Sequence, residues 1–181
     1  MIIILTQCFP PAIGGIESLI ENLSVELSKK YDVLVLADEH DKKNESYYDT
    51  KYNETLSITR ISGVKFLRKR KKLSVLKKLL SSNKISHVIA DSWKSLELTI
   101  GTLNSTSVPS ICLAHGNELI SNNSAKKSRI INTLNKVTRI VTNSNFTSSL
   151  VKDIGITNQN ITCIHPAAKN TFDLKEEIIP N

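Results

Sequence analysis

Short apolar runs alternate with segments of helical periodicity along this chain, and that alternation restricts the fold more than any other feature. The run Val33-Leu34-Val35-Leu36-Ala37 is apolar at every position, as expected for a parallel strand that is covered on both faces. Strand–helix–strand units join parallel strands through right-handed crossovers. The sequence therefore predicts an α/β fold with a Rossmann-like, doubly wound, mostly parallel sheet of about seven strands and helices on both faces.

The alternation also gives approximate bounds for each element. We predict strands at residues 2–6, 33–37, 57–62, 87–91, 110–114, 139–142 and 160–164. We predict helices at residues 16–30, 73–82, 92–104, 125–135 and 144–153. The segment from Asp38 to Leu56 is polar and charged and breaks the pattern, so we interpret it as a long loop.

The turn between the first strand and the first helix contains paired prolines and paired glycines, Phe9-Pro10-Pro11-Ala12-Ile13-Gly14-Gly15-Ile16-Glu17. Glycine leaves the helix start without a side chain, and the amides of a helix N-terminus stabilise an anion, most often a phosphate. The turn has neither the six-residue glycine fingerprint of dinucleotide-binding folds nor the Lys-Ser/Thr of a Walker loop. A phosphate site at Gly14 and Gly15 and an ordinary turn are both compatible with it.

Polar residues follow the later strands as well. Asp91-Ser92 follows the fourth strand, His115-Gly116-Asn117-Glu118 the fifth, Asn143-Ser144 the sixth and His165-Pro166 the seventh. Ligands bind outside the carboxyl ends of the strands in an open parallel sheet, so these residues indicate one site.

Each of these groups has a possible chemical role and a structural alternative. The His115 imidazole can hydrogen-bond a sugar hydroxyl or a phosphate, or act as an acid or base, although a lone histidine is often structural. Glu118 can accept hydrogen bonds from hydroxyls or favour a helix start. Asp91-Ser92 and Asn143-Ser144 are typical of helix N-caps.

Length and composition limit the class of protein. A chain of 181 residues forms one domain. Its three cysteines, Cys8, Cys112 and Cys163, fit no metal spacing and no disulfide framework, so we expect reduced thiols and no metal site. We find no signal peptide and no apolar run near the roughly 20 residues of a membrane span, which favours a cytoplasmic protein.

Much of the net charge of +7 lies in the segment from Lys65 to Lys78. The simplest interpretation is a surface helix that packs Leu73, Leu76 and Leu80 on the sheet and leaves its lysines in water. The alternative is peripheral contact with an anionic membrane at its inner face, or with an anionic acceptor. We do not expect nucleic acid as a partner, because aromatic residues are scarce here and no nucleic-acid-binding signature occurs.

Four segments in order resemble the N-terminal domain of family-4 glycosyltransferases, which have the GT-B fold. They are Phe9-Pro10-Pro11-x-x-Gly14-Gly15-Ile16-Glu17, His115-Gly116-Asn117-Glu118, Val141-Thr142-Asn143-Ser144-x-x-Thr147 and Ile161-x-x-Ile164-His165-Pro166-Ala167-Ala168. The chain departs from the family pattern at Lys30-Tyr31-Asp32-Val33, where the family has Gly-His-x-Val, and at Pro166-Ala167-Ala168, which replaces Asn-Gly-Val. The resemblance covers about residues 1–172.

The resemblance implies the acceptor-binding half of a retaining enzyme that needs no metal. Such an enzyme transfers a sugar from a nucleotide-sugar, which is a co-substrate and not a cofactor, to a glycan, lipid-linked or small-molecule acceptor. By the same resemblance His115 contacts the transferred sugar and is the catalytic candidate. The candidates for donor binding are Gly14, Gly15, Gly116, Glu118 and Ser144.

The resemblance also implies a division of the protein. Residues 1–172 would form the N-terminal domain, and residues 173–181 would form a linker toward a C-terminal domain that carries most donor contacts. We therefore expect little activity from this chain by itself. The alternatives are a non-catalytic interaction module with a glycosyltransferase-like fold, one half of a split enzyme, or another nucleotide-sugar enzyme such as an epimerase.

Overall fold

A computed structural model describes residues 1–52, 55–82 and 84–167 of the chain, and its centre is a seven-stranded sheet. The strands are β1 (Ile2–Thr6), β2 (Val33–Asp38), β3 (Ser57–Ile61), β4 (His87–Ala90), β5 (Ser110–Ala114), β6 (Arg139–Thr142) and β7 (Ile161–Cys163). Their order is β3-β2-β1-β4-β5-β6-β7, and every neighbouring pair is parallel. The predicted fold class is confirmed.

Helices connect successive strands. They are α1 (Gly15–Ser28), α2 (Lys42–Asp49), α3 (Lys65–Ser82), α4 (Trp93–Leu96), α5 (Ile100–Ser105), α6 (Ser124–Leu134) and α7 (Asn145–Asp153), with a 3₁₀ turn at Thr50–Tyr52. Helix α1 and the segment of α2 pack on one face of the sheet, and α3 to α7 pack on the other. The chain winds outward from β1 to β3 and then crosses back to β4, so the order reverses between β1 and β4, where α/β sheets form ligand crevices.

The alternation of side chains in β1 divides the core into two layers. Ile3 and Leu5 point into the layer beneath α3 to α7, whereas Ile2 and Ile4 point into the layer beneath α1 and α2. All five residues of β1 are buried, because the strand lies inside the sheet with helices over both faces.

The two faces of the sheet are covered unequally. On the face of α1, Ile111 and Leu113 of β5 and Val141 of β6 are only partly buried, and these side chains line an open cavity. The sheet therefore presents apolar side chains beside α1 near the carboxyl ends of its strands.

The prediction of a loop from Asp38 to Leu56 is wrong, because α2 and the 3₁₀ turn lie there. The Asp41 carboxylate caps α2 by accepting a hydrogen bond from the Asn44 amide at 3.3 Å. The Tyr48 and Tyr52 hydroxyls both donate to Glu21 of α1, the first at 2.6 Å. These contacts join α2 to the rest of the fold, although its own sequence shows little apolar periodicity.

Two other helices differ from their predicted bounds. The helix expected at residues 92–104 is divided into α4 and α5, and α3 begins at Lys65 instead of Leu73. The first turns of α3 are fixed by charged side chains: Arg68 Nε and Lys72 Nζ lie 2.9 and 2.5 Å from the Asp38 carboxylate. Lys72 is buried and also donates to the Thr6 carbonyl, so this lysine belongs to the interior.

Parts of the sequence-based interpretation lie outside the described residues. These are Ala168, the domain boundary near residue 172 and the linker at residues 173–181. Of the helices in the described ranges, none combines the length and the hydropathy that a membrane span requires.

Candidate functional site

Asp91 joins the carboxyl ends of β1 and β4. Its buried carboxylate accepts hydrogen bonds from Thr6 Oγ1 at 2.8 Å, the Gln7 amide at 2.7 Å and Ser95 Oγ at 2.6 Å. The carboxylate thus fixes the first residues of the β1–α1 connection and the start of α4. The sequence placed Asp91-Ser92 at the end of a strand and indicated a helix cap, but it could not reveal the partners of Asp91 on β1, which lie far away in the chain.

The His115 ring is held in one orientation at the end of β5. Its Nε2 lies 2.9 Å from the main-chain oxygen of Asp91. A carbonyl only accepts hydrogen bonds, so Nε2 carries the proton and Nδ1 of the neutral ring has a free lone pair. Within the described part of the chain no group bonds to Nδ1. The half-buried imidazole is therefore able to accept a hydrogen bond from a ligand.

Glu118 and Gly116 shape the loop that carries His115. A Glu118 carboxylate oxygen accepts from the His115 amide at 2.7 Å, and the Glu118 carbonyl accepts from Trp93 Nε1 at 3.2 Å. Gly116 has a φ of +111°, and a Cβ there would lie 3.4 Å from Thr147 Oγ1. This backbone favours glycine, and a Cβ there would make an ordinary van der Waals contact with Thr147.

Ser144 caps α7, in agreement with the structural alternative drawn from the sequence. Its Oγ accepts from the Thr147 amide at 3.1 Å, and Thr147 Oγ1 donates to Asn143 Oδ1 at 2.8 Å. Since Gly116 packs on the same threonine, this cap and the His115 loop form one contiguous cluster.

The paired glycines form the start of α1. Gly14 is the N-cap residue in an extended conformation, without a side-chain cap, and a Cβ on it would lie 2.2 Å from Oε2 of Glu17. Gly15 is exposed, and no atom lies within 4 Å of the position its Cβ would take. The open approach to this helix terminus is therefore at Gly15, while Gly14 makes room for Glu17.

Arg60 holds the preceding part of the same turn. Its Nη2 donates to the Pro10 carbonyl at 2.5 Å, and its guanidinium lies 5.3 Å from the centre of the Phe9 ring. The same group is paired with Asp49 of α2 at 2.7 Å and with Glu45 at 3.4 Å. The side chain is 9% exposed, so a buried charge network connects α2 to the glycine turn.

An open cavity of about 360 Å³ lies between α1 and the sheet. Leu19 and Leu23 of α1 form one wall, and apolar side chains of β4, β5 and β6 form the floor. His115, Asn143 and His165 line its polar rim. The other candidates, Gly14, Gly15, Gly116, Glu118 and Ser144, are not among its lining residues.

The structure therefore groups the predicted site residues in two places. His115, Gly116 and Glu118 belong to one loop after β5, and Thr147 connects that loop to Ser144 after β6. Gly14 and Gly15 lie at the start of α1, the helix that forms one wall of the cavity. The sequence placed Asn143 and His165 after their strands at this edge but named neither as a binding candidate, and the structure brings both to the cavity rim. Their position immediately after strands was the signal that could have placed both at the rim.

The Cys8 thiol, which follows β1 at this edge, is a poor nucleophile. Burial, together with the negative charges of Asp91 and Glu17, raises the pKa of Cys8 to about 11, so its thiol is protonated at neutral pH. The described residues contain no group of three His, Cys, Asp or Glu side chains placed to hold a metal ion. The arrangement offers hydrogen-bonding groups, a helix N-terminus and an apolar wall.

Comparison with known proteins gives a family for the sequence. The model of the family named Glycosyltransferase Family 4 matches residues 13–169. A search of curated proteins finds no match.

Solved structures with a similar fold include three nucleotide-sugar or sugar-phosphate proteins. HepE of Anabaena in complex with UDP is 14% identical with a TM-score of 0.65, over 91% of this chain and 43% of that one. Sucrose-phosphate synthase of Thermosynechococcus elongatus is 11% identical with a TM-score of 0.70, over 92% and 48%. UDP-GlcNAc 2-epimerase of Methanocaldococcus jannaschii is 11% identical with a TM-score of 0.61, over 90% and 45%. The chain thus matches less than half the length of each.

Proposed function

Because the chain belongs to Glycosyltransferase Family 4, we propose that it is the acceptor-binding, N-terminal half of a retaining glycosyltransferase. The enzyme moves a sugar from a nucleotide-sugar to a hydroxyl of a glycan, lipid-linked or small-molecule acceptor. The observation that carries this proposal is the His115 ring, which has one nitrogen bonded to the Asp91 carbonyl at 2.9 Å and the other open at the cavity rim. The UDP in the HepE complex supports a nucleotide-sugar as the donor.

In this proposal His115 orients the donor sugar. Its Nδ1 accepts a hydrogen bond from a sugar hydroxyl, and the bond from Nε2–H to the Asp91 carbonyl keeps the ring from rotating. Because the loop of Glu118 and Gly116 fixes the main chain of His115, the imidazole is positioned before the ligand arrives. Such preorganisation lowers the entropy that must be lost to reach the reacting geometry.

The start of α1 stabilises the negative charge of the donor. When the sugar leaves, negative charge develops on the nucleoside diphosphate, and a helix N-terminus stabilises an anion there. Gly15 leaves the first turn open, so a phosphate is able to approach its amides. In our proposal no metal and no additional cofactor takes part.

The rest of the site comes from a second domain. The chain corresponds to 43% of the HepE chain and 48% of sucrose-phosphate synthase. We infer that the remaining half of such an enzyme forms the facing wall of the cleft and contributes most contacts to the nucleotide. The 181-residue chain alone then has little transferase activity.

The test compares two glycine-to-alanine variants that both fit the fold. Gly15 and Gly101 each have open space at the position that a Cβ would take and ordinary backbone angles for a side chain, so neither substitution strains the free protein. Gly15→Ala places a methyl group where the diphosphate approaches, whereas Gly101→Ala lies on α5 and serves as the control. Because a lost hydrogen bond to a charged phosphate costs about 1.5 kcal/mol, we expect Gly15→Ala to weaken the binding of UDP-glucose about tenfold, while Gly101→Ala leaves it unchanged.

Amide NMR spectra recorded during titration with UDP- and GDP-sugars provide the measurement. We expect the signals of Gly15, His115 and Gly116 to shift in the wild-type protein. If these signals do not move at millimolar nucleotide-sugar, or if both alanine variants bind equally well, the proposed donor site is wrong.

The likeness to UDP-GlcNAc 2-epimerase supports a second candidate, a nucleotide-sugar epimerase. Both enzymes would bind a nucleotide-sugar at this edge, so the products distinguish them. A transferase releases the nucleoside diphosphate and extends an acceptor, whereas an epimerase converts one nucleotide-sugar into another without an acceptor. Product analysis on the full-length protein decides between the two.

A further inference from the structure

The first turn of α3 exposes a group of large apolar side chains. Val64, Phe66 and Leu67 are 67%, 58% and 47% exposed, and Leu98 is 40% exposed. Leu98 lines the same shallow hollow as Lys65, and Lys65 lies between Val64 and Phe66 in the chain, so the four residues lie in one region. We refer to Val64, Phe66, Leu67 and Leu98 as the apolar tip.

Cations surround the apolar tip. The Arg70 guanidinium lies 4.3 Å from the centre of the Phe66 ring, and Lys71 Nζ donates to the Ser62 carbonyl at 2.9 Å. Lys65 and Lys94 line the shallow hollow beside Leu98. We refer to Lys65, Arg70, Lys71 and Lys94 as the basic ring.

The charge of the basic ring is not neutralised by nearby acids. Among the described residues, no carboxylate forms an ion pair with any member of the ring. The neighbouring acids have other partners: Asp38 is paired with Arg68 and Lys72, and Glu97 with Lys69 and Arg129. The surface around the tip is therefore strongly positive.

The structure also divides the basic segment from Lys65 to Lys78 into two functional groups. Arg68 and Lys72 are bound to Asp38 inside the fold and are not available to a partner. Lys77 and Lys78 are exposed on the same helix but lie more than two turns after Phe66. Within the described segment from Lys65 to Lys78, only the N-terminal end of α3 combines exposed apolar side chains with free positive charge.

We propose that the apolar tip and the basic ring dock this domain on an anionic phospholipid surface. The apolar side chains enter the headgroup region, and the cations bind the lipid phosphates around them. Apolar insertion and electrostatic attraction are the two contributions that hold peripheral proteins on membranes. Surfaces that bind single-stranded nucleic acid stack several aromatic side chains on successive bases. The apolar tip contains a single aromatic ring, Phe66, so we favour lipid over nucleic acid as its partner.

The location of this surface extends the proposed function. Helix α3 follows β3, so its first turn lies at the carboxyl edge of the sheet, the edge that carries His115 and the start of α1. A domain docked through the tip holds the sugar-transfer site beside the membrane. This part of the inference rests on the proposed function and favours a lipid-linked acceptor; the docking itself does not depend on it.

The test is co-sedimentation with vesicles of phosphatidylcholine alone and of phosphatidylcholine mixed with phosphatidylglycerol. We expect the wild-type protein to bind the anionic vesicles, and to bind them less as salt increases. Each Lys or Arg near an anionic surface contributes roughly a fivefold increase in binding, so Lys65→Gln with Arg70→Gln weakens it by about 25-fold. The matched control, Lys77→Gln with Lys78→Gln, changes the net charge equally and weakens binding by less than about fivefold, because those positions lie away from the surface.

The apolar contribution is tested separately. Phe66→Ser weakens vesicle binding by roughly tenfold because an inserted ring is lost. Tyr47→Ser removes an exposed aromatic ring of α2 and leaves binding unchanged. The side chains substituted in the tip, the ring and the controls are all exposed, and thermal unfolding verifies that each variant is folded.

Several results would overturn the docking proposal. The proposal is wrong if the wild-type protein does not sediment with anionic vesicles, or if it binds neutral and anionic vesicles equally well. It is also wrong if the two double charge variants lose vesicle binding to the same extent. Tighter binding to a double-stranded RNA than to the anionic vesicles would identify a nucleic-acid surface instead. The vesicle assay contains no nucleotide-sugar, and the nucleotide-sugar titration contains no vesicles. A negative result in one assay therefore overturns only the proposal that this assay tests.

Discussion

Replacing Asp91 with alanine should destabilise the fold strongly, because this carboxylate joins β1 to β4 and α4. In Asp91→Ala the Gln7 amide and the hydroxyls of Ser92 and Ser95 lose their acceptor, whereas the Thr6 hydroxyl is able to donate to the Cys8 carbonyl at 2.6 Å instead. A buried polar group left without a partner costs about 1–3 kcal/mol, and these three groups are half-buried, so we take about 1 kcal/mol for each. We therefore expect a loss of about 3 kcal/mol in the free energy of unfolding, or a decrease of roughly 10 °C in Tm for a chain of this size.

Asp91→Asn separates hydrogen-bonding geometry from charge. The asparagine carbonyl is able to accept from the Gln7 amide, and its amide group is able to donate to Ser95 Oγ. Only the charge assistance of the bonds is lost, which amounts to about 1 kcal/mol. Asp32→Ala, at an exposed position, is the control and should change stability by less than about 0.5 kcal/mol.

Urea unfolding followed by circular dichroism measures all three variants. We expect the free energy of unfolding to fall with urea concentration at the same slope in all variants. Asp91→Ala should be the least stable variant, Asp91→Asn intermediate and Asp32→Ala the most stable. It is refuted if Asp91→Ala lies within about 1 kcal/mol of the wild-type protein, or if the asparagine variant loses as much as the alanine variant.

Two further predictions concern the His115 loop and Cys8. Gly116→Ala and Gly155→Ala should each destabilise by about 1 kcal/mol or more, because both glycines have positive φ, at +111° and +92°. Gly101→Ala, with ordinary backbone angles and open space at its Cβ position, is the control in urea unfolding, and losses no larger than that of the control would contradict this prediction. For Cys8, a pKa of about 11 in place of 9.0 should make alkylation of the folded protein at pH 9 about fifty times slower than that of an exposed thiol. An alkylation rate for the folded protein equal to that of the urea-unfolded protein would contradict the raised pKa. Because the pKa is higher in the folded state, the contribution of Cys8 to the free energy of unfolding is complete below pH 9 and is lost as the pH rises through about 11.

The sheet was predictable because short stretches of sequence are sufficient to indicate each of its strands and the helices between them. Apolar runs of strand length, separated by helical periodicity, specify parallel crossovers, and the bounds of β1, β5 and β6 agree with prediction. The grouping of polar residues at the carboxyl ends of the strands follows from the same topology. His115 and Asn143 indeed lie together at the rim of one cavity.

Other elements depend on contacts between residues far apart in the sequence. Helix α2 is polar, and its buried Glu45 accepts from the His40 amide and pairs with Arg60 of β3, so no apolar periodicity indicates it. The first turns of α3 are fixed by Arg68 and Lys72 on Asp38, but charged residues in a sequence indicate a solvated face. In both regions buried ion pairs replace the apolar contacts on which periodicity depends.

The roles of the individual site residues were the least predictable part. The sequence placed Glu118 and Ser144 at the correct edge, yet their side chains bind the main chain of His115 and of Thr147. A short motif shows which residue types are present but not which way their hydrogen bonds point. The geometry distinguishes His115, whose ring retains an open acceptor, from the groups that support it.

The buried Arg60 has a consequence for protein engineering. Its guanidinium binds the Pro10 carbonyl and the Asp49 carboxylate, so the same side chain holds both the glycine turn and α2. A chimaera that takes only residues 9–17 from another enzyme would combine a foreign turn with an arginine that does not match it. The unit that can be exchanged between relatives therefore includes both segments and the β3 position that carries the arginine.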